Sequence, residues 1–152
     1  MKVEAIYISP GHNYFGRYGK ASLKHETQLV DLVRCVAGRG LEGDRFFDYK
    51  EDYKGQVTFF SQEIFEKMCE TLDVYNKSTA VVRRNVVVSG VDLNELVGKR
   101  FTLQGIAFEG MKECSPCEWM DEAFAPGAMD FLKGRGGLRC RILTDGILKT
   151  GD

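Results

Sequence analysis

The chain has 152 residues, 43% of them hydrophobic and 28% charged, which predicts one globular domain with a substantial apolar core. Its 21 Lys and Arg against 22 Asp and Glu leave a formal net charge of −1, which argues against a nucleic-acid-binding surface. No apolar run approaches the ~20 residues of a membrane span, and the N-terminus lacks the long apolar segment of a secretory signal. We therefore expect a cytoplasmic protein without membrane attachment.

The first third of the chain predicts strands around a loop. Residues 2–8 alternate in the manner of a strand, which Pro10 and Gly11 end. Residues 10–25 are rich in Lys, Arg, Tyr and His without clear periodicity, so they predict a surface loop in which His12 and His25 are surface histidines. Residues 27–38 are rich in valine and favour a strand, with a short helix as the alternative.

The middle of the chain holds the clearest helix. The stretch "QVTFFS" (56–61) is β-branched and aromatic and predicts a strand. The stretch that follows it, up to Leu72, repeats its apolar residues with helical spacing, and Ser61 is the predicted N-cap. Residues 80–90 predict strand interrupted by the polar residues 83–85. Residues 92–98 predict a one- to two-turn helix that begins at the N-cap Asp92 and ends at Gly98.

The last third returns to strand patterns. Residues 99–114 predict strand, and residues 138–152 alternate around Asp145 and Gly146, a pair typical of a two-residue hairpin turn. Many short strands with few helices predict an α+β fold, mainly β, built on a barrel or a strongly bent sheet. We find no internal repeat or linker, so residues 1–152 are predicted to form a single domain.

Five cysteines are an odd number, which disfavours a disulfide framework. Cys35, Cys69 and Cys140 lie within strand-like or helix-like patterns. Free cysteine is among the most buried residue types, so these three are predicted to be small core side chains.

Several segments combine glycine with arginine: "GRGLEGDR" (38–45), "VRRNVVVSG" (82–90) and "GRGGLRCR" (134–141). Glycine lets backbone N–H groups approach an anion closely, and a guanidinium presents a fork of donors that matches phosphate oxygens. Solvated turns are the alternative for each segment taken alone. Together they predict a pocket for a phosphorylated ligand, with these candidate arginines: Arg39, Arg45, Arg84, Arg135 and Arg139.

The stretch "CSPC" (114–117) allows several interpretations. A thioredoxin-like redox couple would lie in a βαβ unit, which the sequence does not indicate. A zinc site would need two further ligands, and the remaining cysteines and histidines form no second closely spaced pair. A third interpretation is a single reactive thiolate, Cys117, held on a loop by Pro116 with basic residues nearby. Such a sulfur could attack an electrophile, carry a persulfide or bind a soft metal. Simple packing is the fourth interpretation.

The order and spacing of these segments resemble the MOSC domain, named for the C-terminal domain of molybdenum cofactor sulfurases. The resemblance spans residues 3–152 and is most specific in "RRNVVVSGVDLNELVGKRF" (83–101). It implies a β-barrel-like domain with a few flanking helices and a role around the molybdenum cofactor. We expect no zinc, haem or flavin, because the sequence shows no ligand set for any of them.

The resemblance also implies roles for individual residues. Cys117 matches the family's cysteine that carries sulfur or ligates molybdenum, and is therefore both the catalytic and the metal-binding candidate. Cys114 has a counterpart in only some members. The family's polar motifs correspond to these cofactor-binding candidates: Asp44, Arg45, Arg84, Asn85, Arg135 and Arg139.

Two chemical functions remain open, beside a non-catalytic alternative in which the domain serves partner contact and "CSPC" is buried. The first is a small protein that binds the pterin of the molybdenum cofactor, or carries sulfur as a cysteine persulfide, with a cysteine desulfurase or a molybdoenzyme as partner. Because no lysine lies in a recognisable pyridoxal phosphate setting, that cofactor would reside on the partner. The second is a molybdenum-dependent oxidoreductase that reduces N-hydroxylated small substrates with electrons from a partner.

Overall fold

The computed structural model describes residues 1–10 and 27–152; the predicted surface histidines His12 and His25 lie outside these residues. The described part has an α+β fold, as the sequence predicts, and it contains two β-sheets and three α-helices. The strands are β1 (Lys2–Ile8), β2 (Gln28–Val30), β3 (Leu32–Val36), β4 (Gly40–Leu41), β5 (Val57–Ser61), β6 (Val86–Ser89), β7 (Arg100–Leu103), β8 (Ile106–Glu113), β9 (Leu138–Ile142) and β10 (Gly146–Lys149). The helices are α1 (Gln62–Leu72), α2 (Trp119–Ala123) and α3 (Ala128–Leu132).

The larger sheet has the strand order β2-β1-β6-β5-β9-β8-β7. Its neighbouring strands are antiparallel except for β5 and β6, which are parallel. Parallel neighbours need a crossover, and α1 together with a 3₁₀ turn at Thr79–Val82 provides it. This βαβ unit is not apparent from the sequence pattern, and "CSPC" lies outside it, after β8.

The smaller sheet has the order β10-β3-β4 and overturns the predicted hairpin at Asp145 and Gly146. Strand β9 pairs with β5 and β8 in the larger sheet, whereas β10 pairs with β3. The Asp145 carboxylate accepts a hydrogen bond from the backbone N–H of Ala37 at 2.7 Å, which fixes the chain as it passes between sheets. The turn chemistry is local, but the strand pairing is decided by the core.

The predicted barrel is also corrected, because the larger sheet is open, with β2 and β7 at its two edges. The physical reason is that β10 leaves β9 and builds a separate sheet on β3. One apolar cluster joins the two sheets, with Val33 and Leu148 from the smaller sheet and Phe59 and Val86 from the larger one. The fold is therefore two open sheets around a shared core.

The helices pack on a second apolar cluster that includes Phe60, Met68, Met120 and Leu132. Successive side chains of a strand point to opposite faces, so Phe59 enters the first cluster while Phe60 enters the second. Helix α1 begins as predicted, with the backbone N–H of Ile64 donating to Ser61 Oγ at 3.2 Å.

Most of the remaining element predictions agree with the structure. Residues 27–38 contain strands β2 and β3 rather than a helix, and Cys35, Cys69 and Cys140 are buried, as predicted. The predicted short helix after Asp92 is a 3₁₀ turn over Leu93–Leu96 instead of an α-helix. None of the described helices is both long and apolar enough to cross a membrane.

Candidate functional site

A cavity of about 230 Å³ opens where β1 ends, β6 begins and the loop after β8 passes over them. The segment around Asp44 and the residues that lead into β9 close its other sides. Its lining brings together most of the residues that the sequence analysis selects: Asp44, Arg45, Arg84, Asn85, Cys117 and Arg139.

The loop that carries both cysteines of "CSPC" runs from the end of β8 to the start of α2. The backbone N–H of Cys114 donates to the Gly137 carbonyl at 2.8 Å, and the N–H of Met120 donates to the Cys117 carbonyl at 3.0 Å. Gly136 is buried directly beneath the loop: a Cβ there would lie 2.3 Å from the carbonyl oxygen of Cys114. Glycine is therefore required at position 136 for this loop to pack.

The two cysteines of the loop differ in exposure. Cys117 is exposed, as a reactive thiol must be, whereas Cys114 is only 2% exposed. Burial raises the pKa of the Cys114 thiol, and the guanidiniums of Arg84 and Arg139 act against this rise through their charge and hydrogen bonding. Both thiols line the same cavity.

Arg84 fastens the loop to its surroundings. Its Nε donates to the Gly136 carbonyl at 3.0 Å, and its two terminal nitrogens donate to the carbonyls of Val82 at 3.2 Å and Ser115 at 3.4 Å. Within residues 1–10 and 27–152 no ion pair to a carboxylate is formed by Arg84. Its positive charge is therefore not neutralised by a carboxylate of the described residues, which leaves it able to attract an anion.

Arg139 lies in β9, opposite Thr58 of β5 and Lys112 of β8. Its neighbours Leu138 and Cys140 point into the core, so strand alternation directs Arg139 to the opposite face, where it lines the cavity. Like Arg84, it forms no ion pair with a carboxylate of the described residues. The sheet thus presents a second guanidinium whose charge is not neutralised.

Asp44 and Arg45 share a turn but have different roles. Asp44 is buried, and its carboxylate accepts hydrogen bonds from the backbone N–H groups of Ser9 at 2.9 Å and Phe46 at 3.3 Å. Burial raises the pKa of this carboxyl, and the two hydrogen bonds oppose the rise. Asp44 therefore braces the turn, while Arg45 lies with its guanidinium 4.9 Å from the centre of the Phe46 ring.

Asn85 is committed to internal hydrogen bonds. Its Oδ1 accepts from the backbone N–H and the hydroxyl of Thr58, at 3.0 and 3.1 Å, and its Nδ2 donates to the Tyr7 carbonyl at 3.1 Å. These contacts bridge β1, β5 and the start of β6 beneath the cavity. The side chain consequently shapes the cavity floor through its neighbours.

Arg135 is the one cofactor-binding candidate that the structure places elsewhere. It lines a separate cavity beside α1, with Nε donating to the Phe131 carbonyl at 2.6 Å and the guanidinium 3.9 Å from the Phe131 ring centre. Arg39, the other early candidate, is paired with Asp48 on an exposed surface. Neither belongs to the cavity that contains Cys117.

Arg83 and Tyr53 line the cavity but are not among the site candidates predicted from the sequence. Arg83 adopts a left-handed backbone (φ 59°) and extends its guanidinium over Trp119, 5.0 Å from the ring centre. Tyr53 also lines the cavity, and burial raises the pKa of its hydroxyl while the charge of Arg139 lowers it. The "RR" pair gave a signal for Arg83, but no local pattern marks Tyr53.

Charge is the common property of this lining. Four arginines, Arg45, Arg83, Arg84 and Arg139, face one carboxylate, Asp44, among the described lining residues. A cavity of this composition favours anions, because clustered guanidiniums both attract negative charge and supply matched donors.

The family model for the MOSC domain matches residues 43–152, which contain the cysteine loop and every arginine of the cavity. The chain belongs to the MOSC domain family. The resemblance seen in the sequence is therefore confirmed. Strands β1 to β4 precede the matched region, and β1 pairs with β6 inside it.

Solved structures agree with this assignment at the level of fold. The YuaD protein of Bacillus subtilis superposes with a TM-score of 0.76 at 22% identity, covering 99% of this chain and 92% of that protein. YiiM from Escherichia coli gives a TM-score of 0.67 at 12% identity, with 99% of this MOSC chain and 68% of YiiM covered. YiiM from Geobacillus stearothermophilus gives 0.69 at 14% identity, with 99% and 71% covered. No curated protein sequence matches the chain significantly.

Proposed function

We propose that this MOSC protein binds the anionic end of the molybdenum cofactor and carries sulfur on Cys117 as a persulfide for sulfuration of that cofactor. The observation that supports the proposal best is the exposed Cys117 at a cavity lined by Arg45, Arg83, Arg84 and Arg139. Family membership adds the association with molybdenum cofactor chemistry.

The donor set suits a phosphorylated ligand. Guanidiniums form paired, charge-assisted hydrogen bonds with phosphate oxygens, and the charges of Arg84 and Arg139 are not neutralised by carboxylates of the described residues. The volume of about 230 Å³ lies below the roughly 300–1,000 Å³ of typical small-molecule pockets. The cavity would therefore enclose the phosphate-bearing end of the pterin and leave the remainder of the cofactor at its mouth, near Cys117.

When bound, the cofactor would supply the metal that accepts sulfur or exchanges electrons. The protein's residues would hold the phosphate with Arg45, Arg83 and Arg139, keep the cysteine loop in place with Arg84, and present Cys117 to a donor. Cys117 is also the residue able to ligate the metal through its sulfur.

Loading of Cys117 requires a sulfur donor. The thiolate would attack the outer sulfur of a donor persulfide, form a new S–S bond, and release the donor as its own thiolate. A cysteine desulfurase with its pyridoxal phosphate would provide this donor persulfide, and a molybdoenzyme would be the final acceptor. The cytoplasm suits this chemistry, because reducing conditions keep all five cysteines free, as they are in the structure.

The decisive experiment is purification of the protein from cells that make molybdenum cofactor, followed by measurement of molybdenum, pterin and protein-bound persulfide. We expect molybdenum and pterin in constant ratio on the wild-type protein, and persulfide on Cys117 and no other cysteine when the protein is quenched with acid directly after exposure to a sulfur donor. The Cys117→Ser variant should lose the persulfide and keep its fold. Absence of pterin, molybdenum and persulfide from the wild-type protein would refute the proposal.

A further inference from the structure

Cys114 is buried in an environment unlike that of the other buried cysteines. Cys35 and Cys140 belong to the apolar cluster between the sheets, and Cys69 to the one beneath the helices, but Cys114 belongs to neither. It lines the cationic cavity instead, close enough to Arg84 and Arg139 for both guanidiniums to act on its thiol. A cysteine that serves only packing would not need this position.

Backbone contacts hold Cys114 in the lining of the cavity, three residues before the exposed Cys117. Its N–H is bonded to Gly137, and its carbonyl lies against Gly136, so the residue is fixed from both sides. Arg84 contacts the carbonyl of Ser115, the residue that follows it. The structure therefore presents one fixed inner thiol and one exposed outer thiol at the same cavity.

The proposed sulfur transfer leaves an electron requirement that this arrangement can meet. The outer sulfur of a persulfide is sulfane sulfur, whereas a sulfido ligand on a metal is at the oxidation level of sulfide. Two electrons must be supplied for each sulfur delivered. A second thiol within reach of Cys117 is the simplest source, because conversion of two thiols into a disulfide yields two electrons.

We propose that Cys114 is a second catalytic cysteine, which displaces sulfide from persulfidated Cys117 and leaves a Cys114–Cys117 disulfide. This inference rests on the proposed function and goes beyond it by assigning the reductant and the form in which sulfur leaves. The acceptor it implies is a group that takes up hydrosulfide in the cationic cavity.

Cys114 Sγ attacks Cys117 Sγ and forms the new S–S bond, while the bond between Cys117 Sγ and the sulfane sulfur breaks. The electron pair of that bond leaves with the sulfane sulfur, which takes the proton from the Cys114 thiol and departs as HS⁻. The two cysteines are oxidised to a disulfide and the sulfane sulfur is reduced to sulfide. An external dithiol then restores both thiols by thiol–disulfide exchange.

The surroundings suit both ends of this step. Burial keeps Cys114 protonated at rest, which protects it from competing reactions, and the two guanidiniums would stabilise negative charge as its proton leaves. The same guanidiniums would stabilise the departing hydrosulfide anion inside the cavity. An apolar pocket would lack the positive charge that provides this stabilisation.

The test treats the reduced wild-type protein anaerobically with inorganic polysulfide, quenches with acid at increasing times, and determines the masses of the peptide that carries residues 114–117. We expect a transient gain of one sulfur on Cys117, followed by loss of that sulfur and of two hydrogens as the disulfide forms. In Cys114→Ala the persulfide on Cys117 should persist roughly tenfold longer or more. Cys69→Ala, which removes a cysteine that does not line the cavity, should behave as wild type.

The wild-type time course is decisive whether or not the Cys114 variant folds. A persulfide that stays on Cys117 of the wild-type protein, with no disulfide, overturns this inference and leaves the proposed function intact. Absence of any persulfide on Cys117 in wild type and variants overturns both. A persulfide that forms on Cys114 in the Cys117→Ala variant would reverse the assigned roles and also overturn the inference.

Discussion

The Nε of Arg84 donates to the carbonyl oxygen of Gly136 at 3.0 Å and joins residues 52 positions apart in the sequence. Through this bond and those to Val82 and Ser115, one side chain ties the start of β6 to the cysteine loop and to the glycines before β9. Two functions thus meet in Arg84, since it orders the loop and adds charge to the cavity.

Replacing Arg84 with Lys should separate these functions. Lysine keeps the positive charge but cannot reproduce a planar fork that donates in three directions, so backbone carbonyls lose partners. We expect a loss of about 1–3 kcal/mol in the free energy of unfolding, measured with urea. We also expect Cys114 to become reactive towards iodoacetamide in the native state. Arg100→Lys, on the edge strand β7, is the control; a Cys114 that stays protected in Arg84→Lys would contradict the role of Arg84 in holding the cysteine loop.

Asn85 provides a second test of the cavity floor. In Asn85→Ala the backbone N–H of Thr58 and the carbonyl of Tyr7 lose their partners in a partly buried site. We expect a destabilisation of about 2–4 kcal/mol, because unsatisfied polar groups bear the full cost of desolvation. Asn76→Ala is the control, because it makes the same substitution at an exposed position. An equal, small effect of both substitutions would show that water replaces the amide.

Much of the fold was predictable because its signals are local. Ser61 followed by apolar residues at helical spacing located α1, and the valine-rich runs located β2, β3 and β6. The wrong hairpin at Asp145 shows the limit: the two residues permit a tight turn, but whether the flanking strands pair depends on β3, more than 100 residues earlier. The two open sheets were not predicted for the same reason, because the pairing of β10 with β3 joins residues that are distant in the sequence.

The site was predictable to a similar degree. Segments that contain both glycine and arginine marked Arg45, Arg84 and Arg139, yet such a segment also marked Arg135, which lies beside another cavity. Residue Arg139 faces the cavity because it alternates with the buried Leu138 and Cys140 in β9, while Arg135 follows α3 and folds back onto Phe131. Local composition cannot distinguish these cases. Tyr53 was missed because it reaches the cavity from a loop without any pattern.

This pair of arginines offers a matched test of anion binding. Arg139→Met should weaken the binding of inorganic pyrophosphate, followed by isothermal titration calorimetry, by roughly tenfold, or about 1.4 kcal/mol. The reason is the loss of one guanidinium from the lining. Arg135→Met removes the same charge from the same glycine-rich segment but outside the cavity, and should leave the affinity unchanged within about twofold. Equal losses in both variants would indicate general charge attraction instead of a site.

Thiol reactivity should follow the burial of the five cysteines. With limiting iodoacetamide under native conditions, Cys117 should be alkylated first, since it is the exposed cysteine. Burial raises the pKa of Cys35 to about 12 and that of Cys114 above its ordinary value, so neither forms thiolate readily. Peptide mass spectrometry measures each site, and denatured protein gives the reference in which all five react. Preferential labelling of Cys114 in the folded protein would contradict the structure.

The pH dependence of stability should reveal the buried Asp44. Because burial raises its folded-state pKa above the unfolded value of about 3.9, its favourable contribution is complete below that pH and declines as pH rises through the folded-state pKa. Asp44→Asn does not titrate and can accept with only one oxygen, so it loses a bond to Ser9 or Phe46 at every pH. The variant should therefore be less stable than wild type, with a deficit that shrinks from about pH 4 upward in urea unfolding. Asp73→Asn, at the exposed end of α1, is the control. A deficit that grows with pH would reverse the sign and show that hydrogen bonding outweighs burial at this carboxyl.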